Sequence, residues 1–306
     1  MPQLRVRRAA SALAPARTTR VENRRRDGSG VHDLLHLTAV EFSTEWRLYG
    51  EDMPNTLDFR DLGEGIGDAT AVLRNNAAAA GLDAPVPTCP GWTVRDLVTH
   101  QGLIHRWATA NVRGVKPRPD ADVEAEAAAS VDLLEWLDDG LVDLLNALAA
   151  APEDLDVPFF LFDASPPRQA WTRRQCHETT VHAIDAMTAK LGRAPRPDEL
   201  WFSPALARDG IDELLLGFAP RPKYGPRRPE PAEIAVTTDD GLGAWTVSLT
   251  PDGCTARVGA SDTAGTRVTG SARGVYAGLW NRGRNYTVTG DAAVLESFLD
   301  QLKVSW

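Results

Sequence analysis

Glu178, His182 and Asp185 lie in the run Arg174-Gln175-Cys176-His177-Glu178-Thr179-Thr180-Val181-His182-Ala183-Ile184-Asp185. Read as a helix, this run stacks Glu178 and His182 one turn apart on one face, with Asp185 three residues further along it. A carboxylate and an imidazole placed in this way are two metal ligands that need a third from elsewhere. The histidine pair of the His-Glu-x-x-His metalloprotease signature is absent. His177 and His182 are five apart, roughly 140° around the helix, and cannot share one ion. Asp185 has two candidate roles, orienting His182 or acting as a general base, and a solvated carboxylate is the plain alternative. For Glu178 and His182 the plain alternative is an ordinary surface pair.

The third ligand comes from an earlier helix. Thr93 with Asp96 resembles a capping box, opening a helix that runs to about Val112. Leu97, His100, Leu103, Ile104 and Trp107 share one arc of it, so His100 points into the interior, either as a hydrogen-bonded core histidine or as a ligand. His105 falls about 140° away on the wheel and is not a co-ligand. Two imidazoles and a carboxylate at His100, Glu178 and His182 suit Zn²⁺ or another first-row divalent ion, with positions open for water or substrate. Cys176, Trp92, Trp107 and Trp171 read as core packing.

The elements that must position these residues follow from periodicity. Helices are expected over about 57–80, ending at Gly81, over 93–112, over 122–150 through Val131, Leu134, Trp136, Leu137, Leu141, Leu144, Leu145 and Leu148, and over 168–191, ending at Gly192. Four long helices make a bundle, and its facing helices are a common place to build a metal site. One more helix is expected over 206–216. Pro220 to Pro231 holds five prolines among basic residues and reads as a linker. Strands follow at 234–237, 244–249 and 254–258, separated by the hairpin signals Asp240-Gly241 and Asp252-Gly253. A strand, a helix over 274–280 and another strand occupy 266–290, and a last helix covers 292–302. The fold class is α+β with two domains. A four-helix bundle at 53–219 is followed, after the linker at 220–231, by a small α+β domain at 232–306.

Composition sets the outer bounds. The chain has 306 residues, 43% hydrophobic and 25% charged, an ordinary globular balance. Its net charge of −9 argues against general nucleic-acid binding. Eight arginines against Glu22 and Asp27 give residues 1–30 a balance of +6, leaving −15 for the rest (−9 minus +6). Residues 1–52 read as a disordered or non-native extension, with translation starting at Met53. Cys89, Cys176 and Cys254 form no C-x-x-C pair, which points to a reducing cytoplasm. No apolar run approaches the ~20 residues of a membrane span.

The run Cys89-Pro90-Gly91-Trp92-Thr93-Val94-Arg95-Asp96-Leu97-Val98-Thr99-His100, with Ile104-His105-Arg106-Trp107 and His177 to Asp185, resembles the maleylpyruvate isomerase family of mycothiol-dependent enzymes, a branch of the DinB-like helical bundles. The similarity covers roughly Leu57 to Trp306. It implies a divalent metal, usually zinc, at His100, Glu178 and His182, and mycothiol, a low-molecular-weight thiol, as cosubstrate with a small-molecule substrate. A metal beside a thiol would present a thiolate nucleophile. Leu279-Trp280-Asn281-Arg282 resembles a Leu-Trp-Gly-Arg motif whose arginine is linked to activity, so Arg282 is a candidate to hold a carboxylate of substrate or cosubstrate. Asn281 departs from that motif, and a structural salt bridge is the other reading of Arg282. The resemblance thus implies a transferase or isomerase acting on a small electrophile. The competing expectations are a non-catalytic metal-binding or stress protein and a metal-dependent hydrolase.

Overall fold

The structure, a computed structural model, describes residues 57–161 and 166–302. The expectations for residues 1–52, including the start at Met53, lie outside the described residues. Four long helices build the first half: α1 (Phe59–Ala80), α2 (Val94–Val112), α4 (Leu133–Ala150) and α5 (Pro167–Leu191), with the short α3 (Asp120–Ala129) before α4. The packing closes a ring, since α1 lies along α5 and against α4, while α2 packs on both α4 and α5. Capping boxes at Asp58/Asp61 and Thr93/Asp96 start α1 and α2 by satisfying backbone N–H groups that have no partner inside the helix. Gly192 ends α5 in the left-handed conformation that glycine adopts without steric cost.

One expectation is corrected here. The single helix over 122–150 is two helices, broken at Ser130-Val131-Asp132. Asp132 caps α4 by accepting from the backbone N–H of Leu134 and Glu135, so the chain restarts there instead of continuing. Val131, counted among the core positions, is fully exposed at the break.

After α5, the helix α6 (Pro204–Asp212) runs directly into a π-helical stretch, Glu213–Phe218, longer than the 206–216 span expected. The second half is a five-stranded sheet of order β3-β2-β1-β4-β5. Its strands are β1 (Ala232–Thr238), β2 (Ala244–Leu249), β3 (Cys254–Val258), β4 (Thr266–Gly270) and β5 (Thr287–Gly290). Only β1 and β4 pair in parallel, with Val236 opposite Val268. The helix α7 (Ala272–Leu279) follows β4, and α8 (Ala292–Gln301) lies against β1 and β4. The fold is therefore α+β, a helical bundle followed by a small sheet with its helices. No helix among the described residues is long and apolar enough to cross a membrane.

A single hydrophobic cluster runs from Leu62 and Ile66 of α1, through Trp171 and Ile184 of α5 and Phe218, to Val236 and Val247 of the sheet and Phe298 of α8. The helices and the sheet thus share one core, and α5 passes through its middle. Seventeen of the 25 residues of α5 are buried, a pattern that belongs to a central helix and not to a surface one.

Candidate metal centre

The carboxylate of Glu178 and the imidazoles of His100 and His182 converge. Glu178 Oε1 lies 3.3 Å from His182 Nε2 and 3.7 Å from His100 Nε2, and the three ligand atoms stand within 4.8 Å of one another. Both imidazoles are buried and the Glu178 side chain is only 12% exposed, so the surface-pair alternative for Glu178 and His182 does not describe them. Two ligands at about 2.05 Å from a tetrahedral ion are separated by roughly 3.3 Å, so the spacing fits a first-row divalent metal. The donor set, two nitrogens and one oxygen, fits as well. Glu178 Oε1 is itself buried and accepts no hydrogen bond of good geometry, a costly arrangement for a carboxylate oxygen unless something positive meets it.

Charge in the cluster is set by burial and by partners. Burial alone would push the Glu178 carboxyl up, but His100, His182 and the charge of Arg174 outweigh it and hold the group well below its usual range. Burial lowers His100 and favours the neutral, metal-binding form. His182 Nδ1 donates to Asp185 Oδ2 at 2.9 Å, which fixes the tautomer and turns Nε2 towards Glu178. The bond is the geometry that orienting His182 requires, and Asp185 is fully buried, so the solvated alternative does not describe it.

Arg282 reaches this cluster from the other end of the chain. Its Nε donates to Asp185 Oδ1 and its Nη2 to Oδ2, both at 2.9 Å, a bidentate fork of the strong kind. The acceptor of that fork is an internal carboxylate. Asn281 explains how the arginine arrives there. It takes φ +62°, a left-handed conformation that suits Gly first and Asn next, and α7 ends in a Schellman turn. In that turn the N–H of Arg282 bonds Ala277 O and the N–H of Asn281 bonds Gly278 O. Asn281 thus does the backbone work of the glycine expected at its position, and its amide also donates to Leu299 O. Burial, then the charge of Asp185, pushes the Cys89 thiol up, so Cys89 is a protonated thiol that donates to Asp185 Oδ2 at 3.4 Å.

Trp92 is half-buried and not part of the core as expected. Its ring packs at 5.1 Å from the ring of His100 and stacks at 6.3 Å on that of His182. The short loop 85–93 holds it there through the bonds Val86 N–H to Trp92 O and Trp92 N–H to Cys89 O. Trp107 and Trp171 do pack with Phe159 and Phe160 in the core. His105 stays out of the centre. Thr179 Oγ1 donates to Gln175 O, which leaves it to accept from Gln101 Nε2 and from His105 Nε2–H at 3.1 Å. Burial, with the nearby charge of Arg106, pulls His105 down to about 3, so it is neutral. His177 also stays out, bonded through Nε2 to Asp209 Oδ2 at 2.8 Å, and Cys176 is fully buried. Reasoning from sequence missed Cys89, Trp92 and Arg174. The first two stand in the run Cys89 to His100, so the motif that contains them was the available signal, and Arg174 had only its i,i+4 spacing to Glu178.

Residues 64–187 match the family described as the mycothiol maleylpyruvate isomerase N-terminal domain, and residues 205–297 match the corresponding C-terminal domain. Among solved structures, the crystal structure of the mycothiol-dependent maleylpyruvate isomerase aligns at 14% identity and a TM-score of 0.55, over 79% of this chain and 97% of that one. A mutant form of the same enzyme aligns with the same values. At this identity the alignment shows a shared fold. No curated protein matches the chain by sequence.

Proposed function

Because the chain belongs to the mycothiol-dependent maleylpyruvate isomerase family, we propose that it is a mycothiol-dependent, divalent-metal-dependent transferase or isomerase acting on a small electrophilic substrate. The observation that carries this reading is the convergence of His100 Nε2, Glu178 Oε1 and His182 Nε2 at one buried point. A divalent ion held there, with zinc the best match to the donor set, would lower the pKa of a thiol and present it as a thiolate nucleophile.

The protein's own residues prepare that chemistry. Asp185 holds His182 by Nδ1, so Nε2 is the ring nitrogen that faces the centre. Arg282 holds Asp185 ionised by placing its charge on both carboxylate oxygens. We assign both residues to positioning within this site. Trp92 covers the two imidazoles and limits water at the centre, which strengthens every electrostatic interaction inside it. The thiol cosubstrate and three free, buried cysteines fit a reducing cytoplasm.

Metal analysis of the purified protein, followed by mycothiol consumption with a panel of electrophiles, tests the reading. The expected result is about one divalent ion per chain, lost in His100→Ala, and thiol-dependent turnover that falls with it. A folded wild-type protein without bound ion after incubation with Zn²⁺ would overturn the metal centre. Turnover that needs metal but no thiol would replace the transferase reading with a hydrolase.

A further inference from the structure

Glu178 has a second oxygen, and a buried arginine holds it. Arg174 stands one turn before Glu178 on α5, and its Nη2 donates to Glu178 Oε2 at 3.1 Å. Its Nη1 donates to Glu213 Oε2, in the π-helical stretch that follows α6. The guanidinium is fixed from its faces as well, with the ring of Phe218 at 4.9 Å and that of Trp280 at 5.3 Å. Arg174 and Glu213 are 2% and 1% exposed, so neither has solvent as an alternative partner.

The π-helical geometry accounts for this arrangement. Glu213 and Phe218 are five residues apart, about 140° around an α-helix, and both could not reach one guanidinium from such a helix. Hydrogen bonding from residue i to i+5 widens the turn and brings them back towards one face. The bond from the Ala219 N–H to Leu214 O is of this kind. The irregular turn thus places a carboxylate and an aromatic ring on the same arginine.

We propose that Arg174, clamped by Glu213 and Phe218, is a positioning residue for the metal centre. It ties up Glu178 Oε2, so that Oε1 alone is aimed between His182 Nε2 and His100 Nε2. This rests on the metal-centre reading given above for the three ligands. The chain from α6 to the centre runs Glu213, Arg174, Glu178, and it is separate from the one formed by Arg282, Asp185 and His182. Two of the three ligands are therefore held by α5 neighbours, Asp185 and Arg174, that are in turn fixed by Arg282 and Glu213 from later in the chain. Removing a partner of this kind commonly weakens metal binding 10–100-fold.

The test titrates Zn²⁺ into the full chain against a chromophoric chelator, for wild type, Arg174→Gln, Arg174→Lys and Glu213→Gln, with thermal melts of each metal-free form. Arg174→Gln is expected to bind about 10–100-fold more weakly, with partial recovery in Arg174→Lys. The visible spectrum of the Co²⁺ form should change with it, because a freed carboxylate can rotate and bind through both oxygens. Zn²⁺ affinity within twofold of wild type and an unaltered Co²⁺ spectrum would overturn the proposal. Glu213→Gln, which keeps a hydrogen-bond acceptor, decides by the same criteria if Arg174→Gln does not fold. A crystal structure of the metal-free variant supplies an arm that needs no ion. Glu178 Oε1 displaced from between the two imidazoles supports the proposal, and Oε1 unmoved sinks it. If wild type binds no ion, the metal centre fails, and this last arm still decides whether Arg174 positions Glu178.

Discussion

Asp185 gathers four bonds on one fully buried carboxylate. It accepts from His182, from both arms of Arg282 and from the Cys89 thiol. An asparagine there would keep the shape but leave the Arg282 guanidinium without its charge partner. Removing one member of a buried ion pair commonly costs about 3–5 kcal/mol. Asp185→Asn should therefore lower the unfolding free energy by about that amount in urea titrations, and weaken Zn²⁺ binding about tenfold or more by loosening His182. A loss below about 1 kcal/mol would show that Arg282 finds other partners. The part of this cluster that lies on α5 was legible from spacing alone, because i,i+3 and i,i+4 neighbours meet on any helix. His100 was legible because it interrupts an apolar arc. Cys89 and Arg282 stand 96 and 97 residues from Asp185 in the chain. Their meeting is a tertiary fact that no local pattern carries, and only the family resemblance pointed to Arg282.

At the scale of elements, the contact between α5 and α6 is held by charge as well as by packing. Arg173 Nε and His177 Nε2 both meet Asp209 Oδ2 at 2.8 Å, and Arg173 Nη2 also donates to Asp209 O. Burial would push the Asp209 carboxyl up, but the His177 bond and the Arg173 charge outweigh it and hold it below its ordinary value. A carboxyl lowered in the folded state gives stability that is complete above the unfolded pKa, about 3.9, and lost as pH falls through the folded value. Unfolding free energy measured in urea should thus fall as pH drops below about 4. Asp209→Asn should be less stable at pH 7 and show a flatter slope in that acid range; an unchanged slope would remove Asp209 from the account. Gly210 beside it has a steric task. A Cβ there would collide with the Tyr276 ring and stand 2.7 Å from His177 Nδ1. Both neighbours are fully buried, so Gly210→Ala should cost about 1–3 kcal/mol, read as a lowered urea midpoint at constant slope. The helices and strands themselves were largely legible from periodicity and caps. The break at Ser130 to Asp132 was not, because the leucines of α4 continue the apolar pattern and masked the capping signal of Asp132 with Glu135. The π-helical stretch was missed for a physical reason too. The partner it serves, Arg174, stands on another helix, and sequence periodicity records neither that contact nor the widened turn.

Across the whole molecule, the sequence pattern reads as two domains on a proline-rich linker, while the packing joins them. The hydrophobic cluster passes from α1 and α5 into the sheet and α8 without interruption. Charge crosses the same boundary, since Arg282 binds Asp185, Arg273 donates to Phe202 O and Trp245 Nε1 donates to Asp212 Oδ1. Even the proline-rich stretch is bonded down: the Arg227 N–H donates to Gln301 Oε1 and the Arg228 N–H to Thr250 O. Proline content makes a segment stiff, but it does not decide whether the segment floats or lies on a surface. Two halves that share a buried core lose it together, because separation would expose apolar area on both at roughly 25 cal/mol per Å². The expected outcome is one cooperative unfolding transition for the full chain. Far-ultraviolet ellipticity, which follows mainly the helices, should trace the same urea curve as the fluorescence of a chain that keeps Trp245 of β2 as its dominant reporter. Calorimetric and van't Hoff enthalpies should agree. Two separated transitions, with the helical signal outlasting that of Trp245, would show that the bundle stands alone and that the shared core contributes little. Coincident curves would mean that the His100, Glu178 and His182 cluster is a product of the whole fold, since Asp185, which bonds His182, is itself bound by Arg282 from the second half.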